Sequence, residues 1–279
     1  MNAIEYNCLR IDIDAAVAFV TIDNPPVNVM DTKLMRELGR FVDDVRIEPA
    51  IKVVVLQSAD PEFFVAHGDM NLGNDPSEFI ALARPEDKAA GINPLQALHE
   101  RFRTLPQVTI AKLAGFARGG GIELAMALDM RFAALGKTGL SQLEARMGII
   151  PGAGGTQYLP RLVGRARALE VILGGALFDA EMAERYGWIN RAMPAGELDA
   201  FVDSLARRIA SLPSGVAAAV KTAVDGAAGS LADGLAEENK LLFGFFATQA
   251  SHDRVNQALR EGAQTREGER DFEAILDRL

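Results

Sequence analysis

The chain has 279 residues, long for one domain and short for two large ones, which predicts one sizeable core with a helical appendage. A hydrophobic content of 49% beside 24% charged residues describes a soluble globular protein. The net charge of −9 supplies no basic field to neutralise phosphates, which argues against nucleic acid as a partner. A local pocket of a few cations and backbone amides stays open to an anionic ligand. The single cysteine, Cys8, rules out an intrachain disulfide and a cysteine-rich metal site. Three histidines, His67, His99 and His252, are scattered singly and do not suggest a histidine metal site. The opening residues MNAIEYNCLRIDID carry acids and lack an Arg-rich amphipathic face. No run approaches the roughly 20 apolar residues of a membrane span. A cytoplasmic protein without membrane contact is expected.

In chain order, residues 8–13 and 16–22 alternate or run apolar around Asp14-Ala15 and predict a hairpin. Asn24-Pro25-Pro26 ends the second strand, because proline has no N–H to give. Asp31 caps a helix with Leu34, Met35, Leu38, Phe41, Val42 and Val45 at helical spacing. The β-branched run IKVVVLQ at 51–57 reads as a strand buried on both faces. A loop from 58 to about 76 follows, carrying FFVAHGDM. Residues 85–104 predict a helix interrupted near Gly91 and Pro94, and 108–113 the next buried strand. Helix at 123–128 and strand at 130–134 complete an α/β layer built by repetition. Beyond Gly155 nearly everything reads as helix: 157–162, 165–174, 180–186, 197–211, 214–229, 231–248, 253–265 and a last one around 270–278. Only 188–192 looks like strand there.

The glycine-rich stretch 115–156 carries the chemistry. Gly119-Gly120-Gly121 opening a helix leaves N–H groups without intrahelical partners, at the positive end of the dipole. A phosphate loop would continue with Lys and Ser/Thr; here Ile122-Glu123 follow, and Glu123 would repel a phosphate. It suits instead a neutral carbonyl whose neighbouring carbon exchanges a proton or adds water. A tight turn with a dipole-compensating Glu accounts for the same residues. A second donor is expected at Gly68, since both loops lie just beyond adjacent buried strands. Glu144 stands before a tight turn, Pro151-Gly152-Ala153-Gly154-Gly155, expected to support it. Alone it reads more readily as a surface residue. Facing Glu123 in an apolar pocket, it would keep one of the two carboxyls protonated near neutrality.

The segments AGFARGGGIELAMALDMRFAA (114–134) and SQLEARMGIIPGAGGTQYLPRLVG (141–164) resemble the crotonase, or enoyl-CoA hydratase/isomerase, superfamily. NPPVNVM (24–30), FFVAHGDM (63–70) and GGALFDAEMAERYGWINRAMP (174–194) resemble it too. The resemblance implies an α/β, crotonase-like spiral of repeated ββα units with an α-helical C-terminal region. It divides the chain into a spiral core at 1–195 and a helical trimerisation region at 196–279. It implies oxyanion amides at Gly68 and Gly120, and two catalytic carboxyls at Glu123 and Glu144. Val27, Ala66, His67, Asp69, Met70 and Gly119 are the implied substrate-binding positions. The implied activity is an enoyl-CoA hydratase of fatty acid metabolism, acting on an acyl-CoA with no cofactor beyond the coenzyme A of its substrate. A homotrimer or dimer of trimers is the implied assembly. A Δ3,Δ2-enoyl-CoA isomerase, another acyl-CoA enzyme of this type, or a non-catalytic acyl-CoA-binding paralogue are the alternatives. Four residues depart from the pattern: His67 stands where glycine is common, Leu143 where proline is frequent, and Glu62 where a basic residue would better face phosphates. Arg146 is placed to pair with Glu144 and lower its pKa.

Overall fold

The computed structural model describes residues 6–279. Contacts divide the chain into two compact units, one ending at Ala210 and the other Ser211–Leu279. In the first unit, β1 (Leu9–Asp14) pairs antiparallel with β2 (Val17–Ile22). Ala15 and Ala16 turn the hairpin at φ of 46° and 66°. Asp31 then accepts the Leu34 N–H at 2.8 Å and starts α1 (Thr32–Arg46). Its apolar stripe, Leu34, Leu38, Phe41, Val42 and Val45, is fully buried.

The chain then repeats one pattern: a strand in a large sheet, a short strand in a second sheet, and helix. The first pass is β3 (Val53–Ser58) and β4 (Phe63–Val65), followed by α2 (Ser77–Ala81), α3 (Pro85–Ala90) and α4 (Pro94–Arg103). The second is β5 (Val108–Leu113), β6 (Phe116–Arg118) and α5 (Gly120–Ala127). The third is β7 (Met130–Ala134) and β8 (Gly139–Ser141), followed by α6 (Gly155–Val163) and α7 (Arg165–Gly174). Then come β9 (Phe178–Asp179), α8 (Ala180–Tyr186), β10 (Arg191–Met193) and α9 (Ala195–Ala210). The large sheet runs β1-β2-β3-β5-β7-β10 and the small one β4-β6-β8-β9. From β2 to β10 every pairing of the large sheet is parallel. This is the spiral of ββα units implied above. The β-branched run of β3 is buried on both faces, as helix-covered parallel strands require.

The small sheet departs from the sequence expectation. Its strands are two or three residues long, too short to show a period of two, and β4 lies inside the expected 58–76 loop. The strand expected at 188–192 forms at Arg191–Met193, while Trp188 is fully buried. Helix α9, assigned from sequence to the tail beyond residue 195, lies on the sheet. Leu198, Val202 and Ala206 are buried, Phe201 meets Phe132 edge-on at 5.0 Å, and Lys112 and Asp199 pair at 2.6 Å.

Arg131 of β7 is buried at the far end of α5 and donates from Nη1 to the Leu128 carbonyl at 2.8 Å. Its Nε donates to the Trp188 carbonyl at 3.0 Å, so one cation closes the helix and fastens the chain after α8. Burial pulls its pKa down to about 10, leaving it charged at neutral pH.

The second unit contains α10 (Val216–Gly226), α11 (Leu231–Phe246), α12 (Gln249–Arg260) and α13 (Phe272–Leu276). Ser230 and Thr248 cap α11 and α12 through their hydroxyls, so α12 starts at 249, ahead of the expected 253. Its buried cluster is small, Ala258, Ala263 and Ile275. Among the described residues, no helix is long and apolar enough to cross a membrane.

The first turn of α5 sits directly on β4: a β-carbon at Gly121 would lie 2.3 Å from the Val65 carbonyl oxygen. That atom is backbone and cannot swing aside. Gly121→Ala is expected to lower stability by about 1–3 kcal/mol through overpacking, read as an earlier chemical-denaturation midpoint. An unchanged midpoint would refute so close an approach.

Candidate active site

A cavity of about 520 Å³ opens in the first unit between the loop after β4, the start of α5 and the residues around Glu144. Gly68 reaches it through a strand-like bridge to Met30. The Met30 N–H donates to the His67 carbonyl at 2.9 Å, and the Asp69 N–H donates to the Met30 carbonyl at 3.2 Å. In an extended chain successive residues point their backbone groups to opposite sides, so the N–H and C=O of Gly68 face away from Met30. His67 donates from Nδ1 to the Gly68 carbonyl at 2.8 Å, which satisfies that oxygen. The Gly68 N–H has no acceptor among the described residues. The same holds for Gly120, whose N–H opens α5 and has no intrahelical partner. A β-carbon on Gly120 would lie 3.6 Å from the Gly68 nitrogen, so the two amides adjoin. Two free, fixed N–H groups side by side can hold one oxygen that gains charge.

Glu123 lies in the first turn of α5 and is 2% exposed. Its Oε1 accepts the Ala153 N–H at 2.9 Å and the Gly155 N–H at 2.7 Å. Burial pushes its pKa up to about 7, the charge of Glu144 adds to the rise, and the two N–H donors oppose it. Glu144 heads a 3₁₀ turn, Glu144–Met147, closed by Gly148 at φ 79°. Burial raises its pKa as well, and its Oε2 is buried without a hydrogen-bond partner. Glu144 Oε1 lies 2.9 Å from where a β-carbon on Gly119 would sit, so Gly119 leaves the space this carboxyl fills. The charge of Glu144 is felt at Glu123, whereas burial is what raises Glu144 itself. A carboxyl near 7 can both take and give a proton at neutral pH.

His67, Gly68, Asp69, Met70, Gly119, Gly120, Glu123 and Glu144 all line the cavity. Val27 and Ala66 do not; the Ala66 N–H donates to the Val27 carbonyl at 3.2 Å, and Ala66 is buried. The expected pairing of Arg146 with Glu144 is absent among the described residues, and the Arg146 stem packs over Gly175 instead. The glycine loop 151–155, expected to support Glu144, delivers its amides to Glu123. Adjacency in sequence favours the wrong acid, because α6 folds the loop back onto α5.

Sequence reasoning misses the apolar walls, among them Leu72, Phe79, Leu95, Ile149 and Ile150. It also misses Gln142, fully buried, whose Nε2 donates to the Gly119 carbonyl at 3.3 Å. The unbroken apolar pair Ile149-Ile150, exposed outside a core helix or strand, is the one signal that could have pointed to a wall.

A family-wide sequence profile described as enoyl-CoA hydratase/isomerase matches residues 12–267. A probable enoyl-CoA hydratase of Mycobacterium bovis is 32% identical over 88% of this chain and 91% of its own. One of Bacillus subtilis is 37% identical over 66% of this chain and 68% of its own. Among solved structures, a putative enoyl-CoA hydratase from Streptomyces avermitilis is 48% identical, with a TM-score of 0.76 over 98% of both chains. An enoyl-CoA hydratase from Bacillus anthracis is 29% identical, with a TM-score of 0.81 over 91% of this chain and 96% of its own.

The raised pKa of Glu123 has a signed consequence for stability. Its folded value of about 7 lies above that of an unfolded glutamate, roughly 4.3, so the folded state binds this proton more tightly. The resulting stabilisation is complete below the unfolded value and is lost as pH rises through about 7. Glu123→Gln removes the titration. The melting temperature of the variant relative to the parent should therefore climb between pH 5 and pH 8, as followed by differential scanning fluorimetry. A difference that stays flat over this range would show that Glu123 ionises at its ordinary pKa.

Proposed function

The chain belongs to the enoyl-CoA hydratase/isomerase family, and we propose that within it the protein is a hydratase, a lyase that adds water across C2=C3 of a 2-trans-enoyl-CoA. The observation carrying this reading is the pair of buried carboxyls, both with raised pKa, beside two unengaged amides in one cavity. The thioester oxygen sits between the N–H groups of Gly68 and Gly120, which draws charge onto it and leaves C3 electron-poor. A water lies between the acids. Glu123 takes one of its protons as the oxygen bonds to C3, and Glu144 supplies a proton to C2 as the enolate collapses. The thioester gains one hydrogen and one hydroxyl, and a proton passing from Glu123 to Glu144 resets the pair.

Glu123 suits the base role because two N–H groups stabilise the charge on Oε1. Glu144 suits the acid role because its Oε2 has no donor to favour an anion there. His67, Asp69, Met70 and Gly119 border the thioester in this reading. Leu72, Phe79, Leu95, Ile149 and Ile150 face the acyl chain. Val27 and Ala66 act only through the backbone that carries the Gly68 loop. The reaction asks for no metal and no redox group: the amides polarise and the carboxyls move protons. Coenzyme A arrives with the substrate, in the cytoplasm, and neither membrane nor nucleic acid takes part. We assign the assembly as a homotrimer or a dimer of trimers. The exposed apolar side chains of the second unit support it, with Val224, Leu235, Phe243 and Phe246 each more than half exposed.

Glu123→Gln and Glu144→Gln should each cut hydration of crotonyl-CoA by about 10²–10⁴ with circular dichroism unchanged. Full activity in both variants would sink the assignment. Faster turnover of a 3-enoyl-CoA than of crotonyl-CoA would make the protein an isomerase instead. Sedimentation equilibrium should return the mass of three or six chains, and a monomer at micromolar concentration would overturn the assembly.

A further inference from the structure

Helix α4 holds the loop that holds Glu123. At its N-terminus Asn93 accepts the Leu95 and Gln96 N–H groups at 3.0 Å through Oδ1, capping the helix. The Asn93 Nδ2 points the other way and donates to the Gly152 carbonyl at 2.7 Å. That carbonyl belongs to the same peptide group as the Ala153 N–H, which donates to Glu123 Oε1 at 2.9 Å. Asn93 and Glu123 therefore sit at opposite ends of one peptide dipole, and a donor at its oxygen strengthens the N–H at its other end. Farther along α4, His99 is fully buried and donates from Nδ1 to the Ala153 carbonyl at 2.7 Å, in the next peptide. The His99 Nε2 is buried and has no partner. A fully buried histidine with one nitrogen unsatisfied is costly, and its bond to the loop is what offsets that cost.

We propose that Asn93 and His99 are positioning residues for the reaction, clamping the 151–155 loop so that its amides meet on Glu123 and set how readily that carboxyl takes a proton. The proposal rests on the reading of Glu123 as the base. Asn93 also lines the cavity, and both side chains bond to the loop's carbonyls and not to Glu123 or Glu144. Among the described residues, the titratable groups that interact with Glu123 are Glu144 and Tyr158 of α6, which donates its hydroxyl to Glu100 of α4 at 2.7 Å, while His99 lies behind the loop on the Ala153 carbonyl. Burial pulls the His99 pKa down to about 4, so the imidazole is neutral wherever Glu123 titrates, and Tyr158 is held protonated there. Of these groups, Glu144 is the other carboxyl whose pKa burial raises.

Three variants isolate the clamp. Asn93→Ser keeps a capping oxygen and is too short to reach Gly152. His99→Leu removes the donor, and His99→Asn keeps a nitrogen donor where Nδ1 stood. The readout is the titration of the Glu123 carboxyl by carbon-13 NMR, identified by its loss in Glu123→Gln. Asn93→Ser and His99→Leu should each move that titration upward by about one pH unit, the size expected for one weakened hydrogen bond. His99→Asn should leave it near the parent value. The acid limb of kcat for crotonyl-CoA should move with it, and kcat should fall about tenfold in His99→Leu with KM little changed. Unmoved titrations in Asn93→Ser and His99→Leu overturn the proposal, as does an equal shift in His99→Leu and His99→Asn, which would mark a packing role alone. If His99→Leu does not fold, Asn93→Ser and nitrogen-15 NMR of the parent protein decide. His99 should appear as the neutral Nδ1–H tautomer from pH 5 to 9, and the Nε2–H tautomer would overturn its part. Because the carboxyl titration needs no turnover, a parent protein inactive on crotonyl-CoA but showing these shifts fails the hydratase reading and not the clamp.

Discussion

Three lengths of chain meet at Gly119-Gly120-Gly121 with no side chain between them. A β-carbon at Gly121 would strike the Val65 carbonyl, and one at Gly119 would enter the space of the Glu144 carboxyl. Between them Gly120 lies against Gly68. This junction draws together the loop after β4, the start of α5 and the turn at Glu144, which the ββα spiral otherwise keeps in separate passes. The amides are ready because the backbones touch. Since Gly68 is held by a bridge to Met30, its N–H is oriented by folding, and no reorganisation is needed when an oxygen arrives.

Helix α5 is buried along its whole length, and charge is admitted only at its two ends. Glu123 occupies the first turn, where the helix dipole favours an anion, and Arg131 donates to the carbonyls at the last turn, where it favours a cation. Both are desolvated and both are shifted toward neutrality, but to different extents relative to pH 7. Arg131 stays charged and serves structure. Glu123 is brought to the pH at which it can change state, so the same desolvation leaves one end of the helix fixed in charge and the other titratable.

Much of this is legible in the residues. The hairpin, α1, β3, β5 and β7 announce themselves by apolar period, by Asp31 as a cap and by β-branched runs. Strands β4, β6, β8 and β9 do not, because two or three residues carry no period, and their pairing is dictated by neighbours far along the chain. Glu123 and Glu144 stand out by resemblance, and the first also by its position after a glycine turn. The partners of the acids are not legible in the same way. Arg146 stands two residues after Glu144 but turns to Gly175, while Ala153 and Gly155, close behind Glu144, bond to Glu123. Asn93 and His99 give no signal at all: an N-cap and a core histidine look alike in sequence whether or not they touch a loop bonded to a buried acid.

The two acids also differ in what surrounds them. Glu123 lies inside a finished core. Glu144 opens a turn that ends at Met147 and leads to Ile149 and Ile150, and these three are 58%, 63% and 73% exposed. Glu144 is itself 8% exposed, so an open apolar rim borders a nearly buried carboxyl. Any apolar group that covers the rim excludes water from the carboxyl and makes its proton harder to lose. Occupancy of that rim and protonation of Glu144 are therefore linked, each favouring the other.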